Sequence, residues 1–168
     1  EPWLDDRKPE IDFHYWNRFE KYLRNRGEIP PPVIERLDQI TDEILDYAGN
    51  PNEPLKRRGM VIGHVQSGKT SNYSGVICKA ADAGYKVIIL LTGLTNSLRR
   101  QTQERIDEAF IGRRAQFEGA IRNQPIGAAR FSEGKKRFSD FGTSIDSDFS
   151  LRQAKAITGF NIDNRQEP

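Results

Sequence analysis

The sequence predicts an α/β fold: the start of a doubly wound parallel sheet built around a phosphate-binding loop (P-loop), partial in extent and preceded by two amphipathic helices. Three observations predict it. First, an apolar run, a loop of the form G-x-x-x-x-G-K-[ST] and a helix-like run follow one another through residues 57–84. Second, an almost continuous apolar run, "YKVIILLTG" (85–93), leads into another helix-like run, the order expected when helices cover both faces of a parallel sheet. Third, apolar residues recur at intervals of three and four through two segments ahead of residue 50.

Length and composition set the frame. A chain of 168 residues, 36% hydrophobic and 30% charged, is long enough to bury a sizeable core. No apolar stretch approaches the roughly 20 residues that span a bilayer, and the acidic, proline-containing start "EPWLDDRKPE" reads as neither a signal nor a transit peptide. One cysteine, Cys78, leaves no internal disulfide, and with two histidines it makes a Cys/His metal cluster improbable. A cytoplasmic protein is expected. The net charge of +2 is unevenly spread: residues 1–58 carry 10 basic and 13 acidic residues, and residues 99–137 carry 10 basic and 5 acidic. The basic middle would attract nucleic acid, or would form a solvated Arg-rich helix.

The elements follow in order. In "EIDFHYWNRFEKYLRNRG" (10–27), Ile11, Tyr15, Trp16, Phe19, Tyr22 and Leu23 form one helical stripe, with His14 expected on the surface and Gly27 as the stop. "IPPPV" is a stiff connector, and Pro32 suits a first helical turn. Val33, Leu37, Ile40 and Ile44 give a second stripe that ends at Gly49, and "GNPNEP" is a turn-rich linker. "RRGMVIGHV" then reads as a short buried strand. "KTSNYSGVICKAADAG" reads as a helix whose small residues Ser71, Ser74, Gly75, Ala80 and Ala81 would pack on a sheet, with Cys78 in the core. "TNSLRRQTQERIDEAF" is a further helix opened by a Thr95/Asn96/Ser97 cap cluster. Beyond Gly112 the periodicity fades, with one more short helix expected in "DSDFSLRQAKAI" (146–157). Two regions are expected: a helical segment over 1–56, and the front part of a nucleotide-binding domain over 57–168.

The loop "GHVQSGKT" carries the chemistry. Gly63 would let the chain turn as it leaves the strand, and Gly68 would let the backbone approach a phosphate without a Cβ clash. The cradle comprises Gly63, His64, Val65, Gln66, Ser67, Gly68, Lys69, Thr70 and Ser71. The amides of residues 66–70 converge on a β-phosphate at a helix N-terminus, where the dipole favours negative charge. Lys69 reaches the β- and γ-oxygens of ATP and the Thr70 hydroxyl ligates Mg2+, which makes these two the candidate catalytic residues. Inside the loop, His64 is better explained as a filler bonded to backbone than as an acid–base group.

Hydrolysis needs a further carboxylate, on a strand ending in Asp or Asp-Glu. No apolar run of four or more precedes an Asp here; "SIDSD" and "NID" offer single isoleucines. The chain is therefore expected to be the front portion of a larger ATPase, stopping before its acidic magnesium motif.

The stretch "LTGLTNSLRRQTQ" (91–103) is similar to motif Ia of superfamily-two helicases, whose turn and first helical amides grip a nucleic-acid backbone. The corresponding residues are Thr92, Gly93, Thr95, Asn96, Arg99, Arg100 and Gln101. Residues 57–112 as a whole, through GHVQSGKT, the N-Y-x-G-x-I-x-K-A-A-D-A-G-Y run and the L-R-x-Q-T-Q-x-R run, closely resemble the Z1 domain family. The leading helices and "TSIDSDF" near residue 145 resemble it more loosely. That resemblance implies a RecA/helicase-like P-loop ATPase of bacterial and phage restriction–modification and antiviral defence systems, with DNA and other defence proteins as partners. The family carries an endonuclease label, yet no D-x(n)-E-x-K signature and no H-N-H set is present. Two other readings remain open: a small-molecule kinase with "RRAQFEGAIRNQPIGAARF" as an arginine lid, and a nucleotide-binding assembly module without turnover.

Overall fold

The computed structural model describes residues 2–54, 56–62, 68–91, 95–114 and 125–131. It divides into two units, Glu1–Ile88 and Ile89–Pro168.

The first unit is helical. The short helix α1 (Leu4–Arg7) runs into a 3-10 turn at Lys8–Glu10, followed by α2 (His14–Arg26), α3 (Pro31–Ala48) and α4 (Lys69–Asp82). Helix α2 buries Tyr15, Trp16, Phe19 and Leu23 of the expected stripe, with Tyr22 half-buried and Ile11 half-buried ahead of the helix, and stops at Gly27, whose φ of 68° lies in the left-handed region that glycine adopts freely. His14 corrects an expectation: it lies buried at the first turn of α2, its ring edge-on to Tyr15 at 5.2 Å. Helix α3 begins behind Pro30, with Pro31 and Pro32 in its first turn, where a missing N–H costs nothing. Its buried face is Ile34, Leu37, Thr41 and Leu45, one position round from the expected stripe, and Val33 is left 53% exposed. The shift puts a threonine inside. Thr41 tolerates this because its hydroxyl donates within reach of the Leu37 and Asp38 carbonyls, at 2.8 and 2.9 Å.

Helix α4 lies against α2 and α3, and comes close to both at Gly75. A Cβ there would stand 3.0 Å from both Thr41 Cγ2 and Trp16 Cζ3. Of the small residues assigned above to sheet packing, Gly75 and Ala80 thus serve packing against the other helices instead. Leu4, Trp3, Leu45, Ala80 and Ala83 close a second apolar cluster beside it, with Ile11 and Tyr85 on its rim.

The expected parallel sheet is not seen: no strand occurs among the described residues. Residues 58–62 and 87–91, read above as buried strands, are exposed, with Ile62 at 83% and Leu91 at 89%. The P-loop, RecA-like fold class is therefore corrected to a helical one for what is described. The physical reason is that a strand needs a neighbour to take up its backbone N–H and C=O groups, and the face of α4 that would cover a sheet is occupied by α2 and α3.

In the second unit, α5 (Asn96–Ile106) starts at Thr95, whose Oγ1 accepts the Leu98 N–H at 3.3 Å. It continues as a π-helical turn, Asp107–Ile111, ending at Gly112 with φ 78°. The 3-10 segment Gly127–Phe131 packs back on this turn through two glycines: a Cβ on Gly112 would overlap Ala129, and one on Gly127 would overlap the Glu108 backbone. The expected helix at 146–157 lies outside the described residues.

Charged groups tie the first unit together from inside. Lys79, 1% exposed, donates to Asp38 Oδ1 and Asp42 Oδ1 at 2.5 Å each and to the Asp38 carbonyl at 2.7 Å, and its ammonium lies 4.4 Å from the Trp16 ring centroid. Lys79→Ala would leave these carboxylates without their buried partner, and Asp42 retains only the half-exposed Lys8. Urea unfolding is expected to show a loss of about 3 kcal/mol, against less than about 0.5 kcal/mol for Tyr47→Ala on the exposed side of α3.

Candidate functional site

The loop motif meets the described structure at its last residues. Gly63, His64, Val65, Gln66 and Ser67 lie outside the described residues; Gly68, Lys69, Thr70 and Ser71 lie within them. Gly68 caps α4 in the left-handed region, φ 78° and ψ 17°, a conformation that strains any residue with a Cβ. Asn72 N–H bonds the Gly68 carbonyl at 3.0 Å, closing the first turn. Lys69 and Thr70 are the first two residues of that turn, with Lys69 exposed and Thr70 and Ser71 half-buried.

This local geometry has a sequence cause. A glycine before Lys-Thr reverses the chain sharply enough that successive amides face one side, and the helix that follows adds the positive end of its dipole. Among the described residues, a Cβ built on Gly68 would meet nothing within 4 Å. An anion carrying several oxygens would suit this end of α4, where the exposed Lys69 is the first helical residue. Mg2+ would come with the phosphates, keeping most of its water and taking the Thr70 hydroxyl as a ligand. Among the described residues no group of three His, Cys, Asp or Glu side chains is arranged to hold a metal by itself.

The second motif divides likewise. Thr92 and Gly93 lie outside the described residues, whereas Thr95, Asn96, Arg99, Arg100 and Gln101 occupy the cap and first turns of α5. Asn96, Arg100 and Gln101 are exposed and Arg99 is half-buried. The Arg100 guanidinium pairs with Glu104 one turn on, at 3.0 Å, an exposed i,i+4 pair worth only a few tenths of a kcal/mol. Such a pair opens readily when a stronger anion arrives.

The sequence reading missed a polar cleft of about 400 Å3 between the 3-10 turn, α2, α3 and α4, with Trp16, Phe13 and Lys79 among its walls. Among its carboxylates, Asp38, Asp42 and Glu20 pair with cations: Asp42 Oδ2 takes Lys8 at 2.5 Å, Asp38 and Asp42 take Lys79, and Glu20 takes Arg24 at 2.7 Å. The hydrogen bond to Asp42 raises the Lys8 pKa above its ordinary value, and burial partly offsets this. The cleft is thus a structural ion cluster. The available signal was Asp38 and Asp42, one turn apart on α3, facing a lysine in the apolar register of α4.

Comparison with protein-family models, with curated proteins and with solved structures found no match for this chain. No helix among the described residues is long and apolar enough to cross a membrane.

Cys78 lies more than two turns along α4 from this end, completely buried, and burial pushes its thiol well above the ordinary range. It stays protonated through neutral and mildly alkaline pH, so a thiolate-directed reagent at pH 8 is expected to label the native chain slowly and the urea-unfolded chain at once. Equal labelling rates would contradict the packing of α4.

Proposed function

We propose that this chain binds ATP with Mg2+ through residues 63–71 and belongs to a DNA-dependent ATPase or translocase of the kind that the Z1 resemblance implies, acting in the cytoplasm in restriction or antiviral defence. The observation that carries the nucleotide part is the turn at Gly68: a left-handed glycine, then an exposed lysine and a threonine opening a helix, inside an eight-residue motif with four fixed positions. Chance supplies that motif in well under about one chain in a hundred of this length.

Within this reading, Gly68 brings backbone amides to the β-phosphate, Lys69 neutralises the β- and γ-oxygens, and Thr70 ligates the magnesium ion. The nucleic-acid part rests on α5: a capped helix N-terminus with hydroxyl and amide side chains and two arginines in its first turns suits a phosphodiester backbone. Contacts of this kind grip without reading sequence, so binding is expected to weaken steeply with salt.

Lys69→Ala is expected to lower ATP affinity by about 10- to 100-fold, the loss of charge-assisted bonds to phosphate, while the circular dichroism spectrum stays unchanged because the side chain is exposed. Calorimetric titration with MgATP checks it, and unaltered affinity removes the loop from the argument. Turnover that neither single-stranded nor duplex DNA stimulates would remove the DNA-dependent part, and phosphoryl transfer to a metabolite would assign a kinase instead.

A further inference from the structure

We infer that Asp82 and Gly75 are positioning residues for the phosphate-gripping end of α4, so that nucleotide at Gly68–Thr70 and docking of α4 on α2 strengthen each other. This rests on the ATP-binding reading above and adds its regulation: the leading helices are part of the nucleotide site's support.

Three features of α4 make the case. The first is intrinsic weakness. Its 14 residues include Ser71, Asn72, Ser74 and Gly75 in the first half, and its N-cap residue, Gly68, has no side chain with which to cap it. A helix of that length and composition is marginal alone, so what it touches decides whether it forms.

The second is Asp82, in the last turn, where a carboxylate opposes the dipole of its own helix. It is instead spent on another helix: the N–H groups of Tyr15 and Trp16 donate to Asp82 Oδ1 and Oδ2 at 3.0 and 2.9 Å, at the buried start of α2. Phe13, the residue preceding α2, supplies no side-chain cap, so Asp82 does that work from a distance of 66 and 67 residues along the chain. The far end of α4 and the near end of α2 therefore satisfy each other.

The third is Gly75, set between the two ends. A Cβ there would stand only 3.0 Å from Thr41 Cγ2 and Trp16 Cζ3, so the absence of a side chain is what lets α4 lie this close to α2 and α3.

Helix formation is cooperative along its length, so an anion that stabilises the first turn raises the population of the docked last turns. By reciprocity, holding the last turns raises affinity at the first. The differential interaction lies in the phosphate: it binds the turn at Gly68 only when α4 is formed.

The test uses the whole 168-residue chain and reads amide hydrogen exchange of Tyr15 and Trp16 with saturating MgATP, alongside calorimetry. Exchange at these two amides is expected to slow by about fivefold or more, and by a larger factor than at Trp3 and Leu4, whose amides are held by Asp46 of α3. Adenosine, lacking phosphates, should give no slowing. Asp82→Asn, which keeps the size and removes the charge, should weaken ATP binding by about fivefold with helix content retained, although residue 82 touches no nucleotide. If ATP binds but Tyr15 and Trp16 exchange unchanged, or no more slowly than Trp3 and Leu4, the coupling is wrong and the loop reading survives. If calorimetry shows no ATP binding, the loop reading fails and this inference falls with it.

Discussion

The carboxylate of Asp82 at the buried N-terminus of α2, with Lys79 one turn before it on α4, is the constraint on which the first unit depends. The start of a helix presents N–H groups that its own backbone cannot satisfy, and burying them unpaired is costly. Here α2 begins deep in the unit, and the nearby chain offers only Phe13 at the capping position. The partner comes from α4, which fixes where α2 starts and how α4 lies across it. Lys79 then joins α4 to α3 through Asp38 and Asp42, and Asp42 passes the connection on to Lys8 beyond α1. The same device recurs at the other edge, where Asp46 of α3 accepts the Trp3 and Leu4 N–H groups at 2.7 and 2.9 Å.

Ion pairs in such a place give specificity at a cost. A buried ammonium must recover its lost hydration through close oxygens, and Lys79 does so with three, plus the face of Trp16. A rotated or translated helix would break all of these at once. The apolar contacts are more permissive: Ala80, Ala83 and Leu45 would tolerate small shifts, so charge sets the register and apolar area supplies cohesion.

The opposite end of the same helix carries the motif residues Gly68, Lys69 and Thr70. The polar start of α4 is poor at burying surface and good at presenting amides, a hydroxyl and an ammonium to an anion. Its small residues let it approach Trp16 and Thr41 closely. The exposed polar residues thus sit at one end of the helix and the buried charges at the other.

The sequence by itself determined the helices. The periodic stripes through 11–23 and 33–44, the prolines ahead of α3, the glycine stops, the start of α4 behind Gly68 and the threonine cap of α5 all follow from local geometry, and local geometry is written in neighbouring residues. The left-handed glycine and the Lys69-Thr70 start of α4 were legible for the same reason. Only the tertiary structure decided what these helices lie against. The apolar runs at 58–62 and 87–91 have the composition of buried strands, but composition cannot supply the neighbouring strand that would bond them, and both are exposed. The small residues of α4 fit a sheet or a pair of helices equally well; Thr41, Trp16 and the charges of Asp82 and Lys79 selected the helices. Those partners stand some 37 to 67 residues apart in the chain, and no local pattern announces them.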